Sequence, residues 1–146
     1  MTRFSNERVR AHLDNLDQQI LYLLQFQEIT LEELVQDKTK LYAVFHAFQI
    51  AIQNIMDIAG HILVSVFRES YDEYKQLVPA LGKRGVVPQE FVAKCSGIAE
   101  FRNKLVHGYL SVDPEKVHGY LTTELPLLRE YARYIVEWLE RQKGEE

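Results

Sequence analysis

Arg102-Asn103-Lys104-Leu105-Val106-His107-Gly108-Tyr109 brings a permanent cation, an amide, a titratable imidazole and a phenol together within eight residues. An arginine fork can grip a phosphate through two parallel N–H bonds, and imidazole is the side chain best suited to move a proton near neutral pH. Cutting RNA asks for little more: a base for the 2′-hydroxyl, an acid for the leaving oxygen, and positive charge against the crowded phosphate. None of those roles requires a metal. The bland alternative is structural, with the histidine serving the last carbonyls of a helix and the arginine complementing its dipole. On spacing alone, that alternative is the commoner one.

Helix geometry constrains the chemistry. At about 100° per residue, Asn103 and His107 are four apart and share a face, so Asn103 is placed to orient the imidazole. Arg102 and Tyr109, seven apart, share a face as well. Arg102 and His107, five apart, diverge by roughly 140° on an ideal helix. They converge only if the helix loosens at Gly108 or if a second chain brings another copy of the motif alongside. The second chain is the favoured solution, because two arginines and two histidines about a two-fold axis make one composite anion-binding pocket.

The elements that carry this motif read as helices throughout. Ser5 suits the cap of a first helix, with Val9, Leu13, Leu16, Ile20, Leu23 and Leu24 at helical spacing. Thr30 followed by Glu33 is a capping-box pattern for a short turn from Leu31 to about Gln36. A long helix is expected from about Lys38 to Phe67, pairing antiparallel with the first. A third runs from about Tyr71 to Leu81, its last turn distorted by Pro79, and stops at Gly82-Lys83-Arg84-Gly85. Pro88 suits the first position of a motif helix over about 88–107. Asp113-Pro114-Glu115 restarts the chain into a final helix kinked at Pro126. No alternating strand pattern appears, so the expectation is a single all-α domain over 1–146, an antiparallel bundle of four to five helices.

Composition agrees. The chain has 146 residues, 47% hydrophobic and 26% charged, which fits one folded domain and excludes a disordered one. A net charge of −4 argues against a surface built wholly to grip nucleic acid, though it leaves room for a local basic patch. One cysteine excludes an internal disulfide and a Cys-based zinc site, and fits a reducing, cytoplasmic setting. The start, Met-Thr-Arg-Phe-Ser-Asn-Glu-Arg, lacks the apolar run of a signal peptide. Gln49, Gln53, Asn54 and Asp57 interrupt the longest apolar stretch, so no membrane span is expected.

In an all-helical chain of this length, the octapeptide resembles the signature of the HEPN superfamily, and more narrowly that of the HepT-like toxins of toxin–antitoxin pairs. That signature is an Arg followed by a polar residue, four further residues and a His, often with a Tyr two residues on. Here it matches at Arg102, Asn103, His107 and Tyr109. The resemblance extends to the opening helix, to Asp57-Ile-Ala-Gly-His61 in the second, and to the Gly85-Val-Val-Pro turn before the motif. It implies a homodimeric, metal-independent endoribonuclease without a cofactor, its active site at the dimer interface. The implied partners are an RNA substrate and a small MNT-type nucleotidyltransferase antitoxin that can transfer AMP to the motif tyrosine, here Tyr109. In this reading Arg102 holds the scissile phosphate, His107 transfers the proton and Asn103 orients. Tyr109 is substrate contact and switch, and Asp57 has a supporting role. The alternative is a catalytically silent helical binding module, a partner subunit of such a transferase.

Other candidates read more plainly. Asp57 and His61, four apart, suit a metal half-site or a supporting dyad, but an ordinary helix-surface pair is favoured. His12, His46 and His118 have no ligand spacing. Cys95 reads as core. Lys83, Arg84, Lys94 and Lys104 form either a basic rim for RNA or a solvated face. Tyr120, Tyr131, Tyr134 and Trp138 read as packing rather than base-stacking platforms.

Overall fold

The computed structural model describes residues 3–108 and 111–144. The Ser5 hydroxyl accepts from the Arg8 N–H at 3.1 Å, opening α1, Asn6–Leu24, which buries Val9, Leu13, Leu16, Ile20 and Leu23 along one stripe. Thr30 caps α2, Leu31–Gln36, through the Glu33 N–H, and Asp37 caps α3, Lys38–Ser65. α3 is the axis of the core. It packs antiparallel along α1 and also touches α2, α4, α6 and α8. Antiparallel pairing is recorded in the contacts: Ser5 meets His61, while His12 and Asn15 meet Asn54. By length and composition α3 could cross a membrane, but 67% of its apolar stretch is buried inside the bundle, where Phe48, Ile52, Ile55, Ile58 and Ile62 fill the core.

All the described secondary structure is helical, in more pieces than the sequence predicts. α3 stops before the expected Phe67. Arg68 adopts a left-handed conformation (φ 59°), and the Glu69 N–H turns back to the Leu63 carbonyl at 3.0 Å. The predicted helix over 71–81 is largely replaced by a loop and a 3-10 turn, Tyr74–Gln76, before α4, Leu77–Lys83. Pro79 therefore falls in the first turn of α4, where its missing N–H costs no bond, and it distorts nothing.

The predicted motif helix over 88–107 is two helices, α5 (Gln89–Lys94) and α6 (Ile98–His107). Gly97 breaks it with φ 91°, a conformation glycine takes without steric cost. Pro88 is the cap of α5 rather than its first residue. Asp113 and Pro114 open α7, Pro114–Thr123, as expected. The final helix is not kinked but divided: α8, Leu125–Gly144, starts afresh with Pro126 in its first turn. Tyr131 of α8 is fully buried and donates its hydroxyl to the Ile55 carbonyl at 2.9 Å, joining α8 to α3. Gly82 brings α4 against α5: a Cβ there would lie 2.6 Å from Val92 Cγ2.

Candidate active site

α6 lies against α3 and delivers the motif to the surface at its C-terminal end. Ile98, Ala99 and Leu105 are its buried anchors. Arg102 is half-buried on the side facing α3. Its Nε–H donates to Gln53 Oε1 at 2.9 Å, and its Nη1 donates to Asn103 Oδ1 at 3.1 Å. Its guanidinium carbon lies 4.6 Å from the centroid of the Tyr74 ring, a cation–π contact supplied by the 3-10 turn. Gln53 in turn donates from Nε2 to Asp57 Oδ1 at 2.8 Å, one turn along α3. Asp57 thus reaches Arg102 through one intervening amide.

His107 is exposed as the last residue of α6, and Asn103 is exposed one turn before it. Among the described residues no hydrogen bond joins them; the Asn103 carbonyl faces Arg102 instead. α6 keeps its helical geometry through His107, with the Gly108 N–H closing onto the Lys104 carbonyl at 2.9 Å. The helix does not loosen early enough to bring Arg102 and His107 together. Within one chain the arginine points inward and the histidine outward. Tyr109 lies outside the described residues.

Two clefts open beside Tyr74, the ring that meets the Arg102 guanidinium, though Arg102 itself lines neither. One, of about 420 Å³, opens beside Asp57 and Tyr74; the other, of about 500 Å³, opens beside Tyr74 and Asn103. Tyr74 lines both. The nearby charge is mixed: Glu69, Asp72 and Glu73 rim the first cleft with Arg8.

Asp57 and His61 do not form the expected surface pair. His61 is only 6% exposed, accepts the Ser5 N–H on Nε2 at 3.0 Å and stacks on Phe4. Burial pushes its pKa below the usual 6.5, and the positive field of Arg8 and His12 adds to that. Asp57 faces Gln53 instead. Among the described residues, no three His, Cys, Asp or Glu side chains converge as metal ligands.

His118 ties α7 to the Ile29 carbonyl at 2.7 Å, and His12 bonds Asn54 at 3.0 Å, so both histidines are structural. Cys95 is buried, as expected, and burial followed by the fields of Glu124 and Glu130 pushes its thiol up to about 12. Lys94 and Lys104 do not share a helix: the Gly97 break puts Lys94 on α5, paired with Glu130, and Lys104 on α6, beside Glu100. Arg84 pairs with Glu69. Tyr131 and Trp138 are core, and Tyr120 packs edge-on to Phe101.

Sequence reasoning missed Gln53 and Tyr74. Gln53 and Asp57, four apart in an otherwise apolar helix, carried a usable signal as a polar pair on one face. Tyr74 carried none, since its contact with Arg102 exists only in the folded chain.

The architecture defines a HEPN-type helical domain. It is similar to a Shewanella oneidensis HEPN toxin, solved tri-AMPylated and in complex with an MNT antitoxin. That likeness has a TM-score of 0.81 at 17% identity, over 91% of this chain and 99% of that one. YutE, a cytosolic protein of unknown function from Bacillus subtilis, is similar with a TM-score of 0.82 and 18% identity, over 98% and 96%. In sequence the chain is 24% identical over 140 residues, 95% of each protein, to the tRNA nuclease HepT of Aphanizomenon flos-aquae (strain 2012/KM1/D3). Residues 16–135 match the ribonuclease HepT-like family, and this chain belongs to it.

Proposed function

We propose that the chain is a metal-independent endoribonuclease toxin whose active site assembles from two copies of the Arg102–His107 motif. The observation that carries this reading is the split of the motif at the end of α6, with Arg102 held inward by α3 and His107 presented outward. A two-fold axis along that end of α6 offers one scissile phosphate two guanidiniums and two imidazoles in a single pocket. One imidazole takes the proton of the 2′-hydroxyl as its oxygen bonds to phosphorus. The other gives a proton to the 5′-oxygen as its bond to phosphorus breaks, leaving a cyclic phosphate and a 5′-hydroxyl. Arg102 neutralises the charge that builds on the phosphate, and Asn103 and Asp57 support it.

The partner in this reading is an MNT-type nucleotidyltransferase antitoxin and the setting the cytoplasm; the Shewanella oneidensis relative was solved in complex with an MNT antitoxin. AMP carried onto Tyr109 places a bulky anion beside the phosphate site and blocks it by size and like charge.

The test is cleavage of labelled RNA, tRNA included, by the purified chain in EDTA beside Arg102→Ala and His107→Ala. Cleavage that disappears in both variants is the expected result. No cleavage by any of the three, across several RNAs, transfers the assignment to a silent binding module. Cleavage that survives both changes places the activity elsewhere.

A further inference from the structure

We propose that Gln53 and Tyr74 are positioning residues for Arg102, with Gln53 acting as a neutral spacer between that arginine and Asp57. The proposal rests on the nuclease reading for its kinetic consequence, though not for its geometry.

Arginine has five N–H donors in a rigid fork and can grip a phosphate through Nε and one terminal nitrogen or through its two terminal nitrogens. In this fold the Nε–H is already tied to Gln53 Oε1 at 2.9 Å. The Gln53 amide cannot turn over without loss, because its NH₂ end is bonded to Asp57 Oδ1 at 2.8 Å. Tyr74 lies against the guanidinium plane at 4.6 Å and fixes its tilt. Among the described residues, the terminal edge is engaged only by Asn103 on Nη1, at 3.1 Å.

A carboxylate in direct contact would do the opposite. It would pair with the fork in bidentate fashion and compete with the phosphate. Interposing an amide keeps the negative charge near enough to favour the arginine's placement, yet keeps the carboxylate off the terminal donors. Neither Gln53 nor Tyr74 belongs to the motif helix, so both act on Arg102 from outside it.

The split between kcat and KM separates positioning from plain folding. Gln53→Ala frees the Nε–H and is expected to lower kcat about tenfold, the scale of one hydrogen bond to a charged group. Gln53→Glu keeps an acceptor for the Nε–H but adds the competing charge, so its chief effect is a raised KM. Tyr74→Leu is expected to lower kcat about threefold, and Tyr74→Phe, which keeps the ring face, to stay within about twofold of wild type. Tyr71→Leu removes an aromatic of the same segment that bonds Glu69 rather than Arg102, and should change nothing.

A second measurement needs no catalysis: hydrogen exchange of the Arg102 Nε–H, followed by NMR on the whole chain. Protection is expected in wild type, Gln53→Glu and Tyr74→Phe, and its loss in Gln53→Ala. Equal exchange in wild type and Gln53→Ala overturns the proposal. So does unchanged kcat in both Gln53→Ala and Tyr74→Leu. A wild type that cuts no RNA overturns the nuclease reading alone, and the exchange data then decide the positioning.

Discussion

Gln53 of α3 and Arg102 of α6 lie 49 positions apart in the chain and 2.9 Å apart in space, Oε1 to Nε. That bond commits the arginine to the inner side of α6, and the helical step then commits His107 to the outer side. The motif is therefore divided between two faces of one helix, which is why the proposed chemistry calls on a second copy.

Dilution tests the division. If the site is composite, cleavage per chain falls once the concentration drops below the dimer's dissociation constant, in parallel with the dimer fraction from sedimentation. A monomeric variant with an intact motif that still cuts RNA would count against the shared site.

AMP transfer tests the tyrosine. Incubated with the proposed MNT-type transferase and ATP, the wild-type chain is expected to gain AMP at Tyr109, and Tyr109→Phe to gain none there. Unchanged modification of the Phe variant by mass spectrometry would remove Tyr109 from the switch.

The break that orients α6 depends on one glycine. Gly97 holds φ 91° with nothing within 4 Å of where a Cβ would be, so Gly97→Ala meets backbone strain and no clash. It should lower unfolding stability by about 1–3 kcal/mol in urea titration. Gly82→Ala, by contrast, drives a Cβ to 2.6 Å from Val92, and pairing it with Val92→Ala should recover part of the loss.

His61 makes stability fall on acidification. Its pKa is lowered in the fold, so between the folded value and 6.5 the unfolded chain binds more protons than the native one. Stability from this residue is present above 6.5 and is lost as pH falls through the folded pKa. The melting temperature of wild type should drop between pH 7 and 5 more steeply than that of His61→Gln. Parallel curves would remove His61 as the cause.

Cys95 should resist alkylation at pH 8 in the native state, since its thiol is buried and pushed up to about 12. Prompt labelling followed by intact mass would contradict that burial.

The local signals in the sequence were sound where they depended on neighbours along the chain. The caps Ser5, Thr30 and Asp113 act within three residues of themselves, and the buried stripe of α1 follows from a period of 3.6 alone. The motif was singled out by its resemblance to the HEPN signature, since spacing alone favoured a structural arginine and histidine. Where the helices break was less so. Gly97 and Arg68 take left-handed backbone, and Pro79 and Pro126 turned out to begin helices rather than bend them, outcomes that depend on which neighbouring turn packs.

By itself, then, the sequence determined an all-helical chain carrying Arg102, Asn103 and His107 in one helix. Only the tertiary structure decided that Arg102 is held by Gln53 and Tyr74, that Asp57 reaches it through an amide, and that His61 is buried against Phe4. The physical reason is range. Caps and periodicity are set by bonds a few residues long, whereas a guanidinium's orientation is set by whichever distant side chains the packed core brings within about 3–5 Å.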